Sequence, residues 1–186
     1  MEPIIEPGPG PCGAEVRGID LREPLSVDVV ARLRAAWLRH LVLAFPDQDL
    51  AVEDLERIAR AFGALGADPF FENLPGHPHV AQVRRDPDER TPLFAEAWHS
   101  DWSFLVQPPI GTLLYGDVIP PAGGDTLFAN QYVAWEALSA ERQARLSALL
   151  GIHSARRGYA RDGLYGERDR GRSMAIRYSD EALATQ

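Results

Sequence analysis

His99 and Asp101 stand two residues apart in the run Trp98-His99-Ser100-Asp101-Trp102-Ser103-Phe104. Side chains alternate faces along an extended strand, so this spacing sends the imidazole and the carboxylate to one side and Ser100 and Trp102 to the other. A neutral imidazole nitrogen and a carboxylate oxygen are two of the three donors in the 2-His-1-carboxylate set, which holds Fe(II) with positions open for oxygen and a co-substrate. On spacing alone, hydrogen-bonded surface residues fit better than metal ligands. His77 and His79 repeat the spacing, but Pro78 lies between them and no carboxylate follows in step, so a polar loop is expected there. His40 closes a predicted helix, where a cation complements the helix dipole.

The elements that must carry this run are legible in part. Met1 to Gly13 is rich in Pro and Gly and reads as an irregular arm, followed by a short strand from Ala14 to Gly18. Ser26 can cap a helix whose stripe is Val29, Val30, Leu33, Trp37 and Leu41, with Asp28 at its positive end. The apolar run Leu41 to Phe45, closed by Pro46, predicts a buried strand. A second amphipathic helix presents Leu55, Ile58, Ala59 and Phe62 and ends at Gly63. Gly66 to Pro78 is turn-rich and aromatic, Val80 to Val83 alternates weakly as a strand, and Arg84 to Pro92 reads as a solvated loop. Ile110 to Val118 is the strongest predicted strand, by its β-branched and aromatic content. A turn at Pro120 to Asp125 leads into an extended Thr126 to Ala129. Helices are expected at Tyr132 to Leu138 and Ala140 to Leu150, Ser139 capping the second and Glu141 pairing with Arg145. Ser154 to Gln186, dense in Arg, Asp and Gly, reads as a flexible loop, with a lid over a site as the alternative.

Length and charge set the outer bounds. A chain of 186 residues suits one domain with a sizeable core, and 45% hydrophobic with 25% charged residues is ordinary for a globular protein. A net charge of −8 argues against nucleic acid or an anionic membrane as partner. One cysteine, Cys12, makes no internal disulfide, and neither a leader nor a spanning stretch is visible, so the expected location is cytoplasmic.

The ordered motifs Trp98-His99-Ser100-Asp101-Trp102-Ser103-Phe104, Gln107-Pro108-Pro109 and Pro120-Pro121-Ala122-Gly123-Gly124-Asp125-Thr126-Leu127-Phe128 resemble the TauD/TfdA family of Fe(II)- and 2-oxoglutarate-dependent dioxygenases. Phe45-Pro46-Asp47-Gln48, Phe62-Gly63 and Ala134-Trp135-Glu136-Ala137-Leu138-Ser139 extend the likeness over most of the chain. The resemblance implies an α+β, double-stranded β-helix (jelly-roll) fold with flanking helices, spanning 1–186 as a single domain incomplete on its C-terminal side. It implies His99 and Asp101 as metal and catalytic residues, and Thr126 as a hydroxyl on the far carboxylate of 2-oxoglutarate, with Gly123 and Gly124 turning that segment into place. A non-ligand histidine falls at His153. The partners implied are a small organic substrate, O2 and 2-oxoglutarate, with homo-oligomerisation left open. The family's distal iron-binding histidine and carboxylate-pairing arginine fall beyond Gln186, so a fragment of a longer protein is expected to be what we see, inactive and self-associating alone. Asp68 and Glu96 would repel a sulfonate, and Phe70, Phe71, Trp102 and Phe104 suggest an aromatic wall or core packing. The alternatives are a non-catalytic binding domain on the same fold and, more remotely, a zinc hydrolase, which lacks a recognisable third ligand and general base.

Overall fold

The computed structural model describes residues 2–66, 68, 70–160, 163, 171–174 and 176. They divide into two compact units, the first from Met1–Ala64 and Leu113–Leu149, the second from Leu65–Thr112 and Leu150–Gln186.

In the first unit the expected N-terminal arm is a strand instead. β1 (Ile4–Pro7) pairs antiparallel with β2 (Ala14–Arg17) in the register Ile4↔Arg17. The Gly8 N–H donates to the Gly13 carbonyl at 2.9 Å, and Gly13 takes a φ of 99° that a side chain would resist. Glycine and proline here build the turn of a hairpin, which composition alone does not separate from a loose arm. Along β2 the pleat buries Ala14 and Val16, while Arg17 reaches solvent. The expected Leu41–Phe45 strand shrinks to β3 (Leu43–Ala44), parallel to β2.

α1 (Val27–His40) begins where the sequence predicts it. Ser26 Oγ accepts from the Val29 N–H at 3.3 Å, and Leu33 and Ala36 are buried. α2 (Val52–Phe62) buries Ile58, and its end at Gly63 also matches. The two helices meet edge to face, the rings of Trp37 and Phe62 lying 6.2 Å apart. Arg57 fastens α2 to the preceding loop by donating to the carbonyls of Leu21, Arg22 and Glu23.

α3 (Gln131–Glu136) and α4 (Ala140–Ser147) occupy the expected helical stretches, with Asn130 and Ser139 as caps. Asn130 Oδ1 accepts from Tyr132 and Val133, and its Nδ2 donates to the Pro11 carbonyl at 2.7 Å.

Ile110 to Val118 overturns the strongest strand expectation. It is irregular, and among the described residues no strand pairs with it. Leu114 is 66% exposed and Val118 86%. β-propensity acts through cross-strand neighbours and a satisfied ladder, so a good strand sequence without a partner remains coil. Thr126 to Ala129 is unpaired for the same reason.

In the second unit β4 (Asn73–Leu74) and β5 (His77–Ala81) form an antiparallel hairpin turned at Gly76, whose φ is 83°. The polar loop expected at His77 and His79 is therefore strand; Pro78 is tolerated because a two-stranded sheet has only edges. The core is Phe70, Phe71, Ala155 and Met174, with Phe94, Trp102, Phe104, Tyr159 and Ile176 packed against it. Tyr159, on the short α5 (Arg156–Tyr159), stacks on Phe70 at 3.9 Å. Parts of the Ser154–Gln186 stretch thus belong to the core; the rest of the lid or loop reading lies outside the described residues.

Arg84 to Pro92 is no simple solvated loop. Glu89 is buried, accepting from the Ser173 N–H at 2.9 Å, from Ser173 Oγ at 2.6 Å and from Thr91 Oγ1, with Arg85 beside it. Ser173 Oγ in turn accepts from the Asp86 N–H at 3.0 Å. These bonds hold the Glu89 carboxyl at a pKa of about 2, the Ser173 hydroxyl first among the causes, then Thr91. A charged stretch reads as solvated until a distant segment closes over one of its charges.

Candidate functional site

His99 and Asp101 lie in the second unit, on an irregular loop and not on a strand. The face-sharing logic of a pleat therefore does not apply, yet the two side chains meet: His99 Nε2 is 3.0 Å from Asp101 Oδ1. A turn closed by the Leu105 N–H on the Trp102 carbonyl at 3.0 Å brings the chain round. The other ring nitrogen, Nδ1, is 2.8 Å from the Ala97 carbonyl oxygen. A carbonyl only accepts, so Nδ1 carries a proton and Nε2 is the nitrogen left to face the carboxylate.

Two donors each ~2.1 Å from one ion and a right angle apart lie ~3.0 Å from each other. The observed separation fits that bite, and an imidazole nitrogen with a carboxylate oxygen suits a divalent transition ion. The side chains are 51% and 56% exposed, so the pair is open to further ligands. Among the described residues no group of three His, Cys, Asp or Glu is placed to hold a metal.

Thr126 belongs to the first unit, on the exposed segment that follows Gly123 and Gly124, whose φ values are 81° and 78°. A side chain would strain both turns, which accounts for the glycine pair. His153 Nδ1 lies 2.8 Å from Ser103 Oγ, beside the His99–Asp101 loop. Nothing in the spacing of those two residues signals that contact.

Two expectations about substrate surroundings change. Asp68 Oδ1 accepts from the N–H groups of Phe70 and Phe71 at 2.7 and 2.9 Å, so it shapes a turn. Phe70 and Phe71 are buried core, and Trp102 and Phe104 pack on them; of the two readings offered, wall and core, packing accounts for these rings.

The pattern of the family described as "Taurine catabolism dioxygenase TauD, TfdA family" matches residues 4–183. The chain is 30% identical over 161 residues to an alpha-ketoglutarate-dependent sulfate ester dioxygenase of Pseudomonas putida, covering 86% of this chain and 52% of that protein. It is 30% identical over 158 residues to an (S)-phenoxypropionate/alpha-ketoglutarate-dioxygenase of Sphingobium herbicidovorans, covering 83% of this chain and 55% of that one. A solved taurine dioxygenase from Burkholderia xenovorans superposes with a TM-score of 0.66 at 34% identity, over 82% of this chain and 54% of its own. The chain thus spans about half the length of the relatives it matches.

Proposed function

Because this chain belongs to the TauD/TfdA family, we propose that it carries part of a non-haem Fe(II)- and 2-oxoglutarate-dependent dioxygenase that hydroxylates a small organic substrate. In this reading the two units are parts of one dioxygenase domain of jelly-roll type, and the single cysteine suits a reducing, cytoplasmic setting. The observation that carries the proposal is the 3.0 Å approach of His99 Nε2 to Asp101 Oδ1, with Nδ1 committed to the Ala97 carbonyl.

His99 and Asp101 would hold the metal. When bound, Fe(II) supplies the coupling of 2-oxoglutarate decarboxylation to hydroxylation of a substrate C–H bond. The residues of this chain do the positioning. The Ala97 carbonyl fixes the His99 tautomer and ring orientation, which raises the basicity of Nε2. Asp101 brings a negative charge that favours a cation over neutral ligands. Two exposed donors leave room for a co-substrate and oxygen. Thr126 is assigned to 2-oxoglutarate, its hydroxyl donating to the far carboxylate.

The test is Mn(II) and Fe(II) binding by wild type, His99→Ala and Asp101→Ala, followed by succinate release from 2-oxoglutarate. Each substitution should weaken metal binding by at least about 100-fold and abolish turnover, since the pair is the donor set. Wild-type metal occupancy in either variant, with normal succinate release, would overturn the assignment.

A further inference from the structure

Four non-glycine residues among those described take positive φ: Leu41, Asp47, Ala95 and Trp102. Ala95 and Trp102, at 55° and 56°, bracket His99 and Asp101 on one loop. For an indole-bearing residue this is a disfavoured conformation, and surrounding structure must impose it. From Trp98 to Asp101 every side chain is exposed. Trp102 is the next residue, and it turns inward, its ring 6.3 Å from that of Phe71 and 5.8 Å from that of Phe104.

We propose that Trp102 is the positioning residue of the His99–Asp101 pair. Its indole, gripped by Phe71 and Phe104, holds the backbone left-handed. That left-handed residue reverses the chain directly after Asp101 and keeps the carboxylate against His99 Nε2. Were φ at Trp102 to relax to a negative value, with the ring still in the cluster, the chain on the Asp101 side would swing away and the 3.0 Å approach would be lost. A left-handed residue and a buried anchor are separate requirements, and Trp102 meets both. The consequence for metal binding rests on the reading of His99 and Asp101 given above; the consequence for the metal-free loop does not.

Trp102→Leu and Trp102→Ile separate the two requirements. Both lose the indole and bring the same side-chain volume, but branching at Cβ makes Ile much less tolerant of left-handed backbone. Trp102→Phe keeps a ring. Near-UV circular dichroism and thermal midpoints establish that each variant is folded. Two readouts are then taken: 15N shifts of the His99 imidazole without metal, and Mn(II) affinity by titration. The expectation is wild-type His99 shifts and Mn(II) affinity within about threefold for Phe and Leu, against displaced shifts and at least tenfold weaker binding for Ile. Leu and Ile variants that behave alike, or wild-type His99 shifts in all three, would overturn the proposal, since the indole would then be filler. If wild type shows no His99-dependent Mn(II) binding while Ile still displaces the His99 shifts, the positioning role stands and the metal assignment falls.

Discussion

Glu89 accepts hydrogen bonds from Ser173 N–H, Ser173 Oγ and Thr91 Oγ1, all strongest when the carboxylate is ionised. Its folded pKa, about 2, lies below the ordinary 4.5. The unfolded chain therefore takes up this proton first as pH falls, and the group's contribution is whole above pH 4.5 and is lost on the way down to about 2. Urea midpoints measured near pH 7 and near pH 3 should fall for wild type and fall less for Glu89→Gln; equal falls would show that Glu89 is not the responsive group. Thr126 tests the co-substrate proposal at the same scale. A hydroxyl bonded to a carboxylate is worth ~1.5–3 kcal/mol, so Thr126→Val should raise the KM for 2-oxoglutarate by ~10- to 100-fold with metal affinity unchanged. An unchanged KM would remove Thr126 from the site.

At the scale of elements, α3 is only six residues long and buries none of them. Its standing depends on Asn130, which caps two N–H groups and donates to Pro11 at 2.7 Å. Asn130→Ala should cost ~1–2 kcal/mol in chemical denaturation, above what one cap returns at the lower end of its range, because the tie to the N-terminal hairpin is lost with it. Asn130→Asp keeps the acceptor and loses the donor, and should fall between. α1 is different. Its buried Leu33 and Ala36 hold it down, so Ser26→Ala should cost only ~1 kcal/mol and leave the fold intact. The turn that pairs His99 with Asp101 is likewise a local element, but one set by aromatic packing and not by a cap.

For the whole molecule the dominant feature is apolar surface along the middle of the sequence. Val118, Leu150 and Ile152 are 86%, 96% and 80% exposed, with Ile119, Leu127, Phe128 and Tyr132 exposed too. Apolar exposure on this scale marks a surface that associates. The 186-residue chain should therefore sediment as a mixture of oligomers at micromolar concentration, despite its charge of −8. Placing charge on it, as Val118→Glu with Leu150→Glu, should shift the distribution toward monomer. A wild-type chain that sediments as a single monomer throughout would show that this surface does not drive association.

Some of this was legible in the chain alone. Caps and helical stripes are local, so α1, α2 and α4 could be read from Ser26, Gly63, Ser139 and the apolar residues between them. Six ordered motifs sufficed to identify the family, because their order survives where pairwise contacts are invisible. Strands were read less well. The hairpin hidden in a Pro/Gly-rich start and the uncoiled promise of Ile110 to Val118 both turn on whether a partner strand lies alongside, and that is a property of distant residues. The pairing of His99 with Asp101 could be anticipated from their spacing, but through the wrong geometry: a turn at a left-handed Trp102 joins them, not a pleat. Only the tertiary structure decides this, because the φ of Trp102 is imposed by Phe71 and Phe104, and Glu89 is buried by Ser173, 84 residues further along. Local sequence sets what a segment prefers; contacts closed across the chain set which preference is overruled.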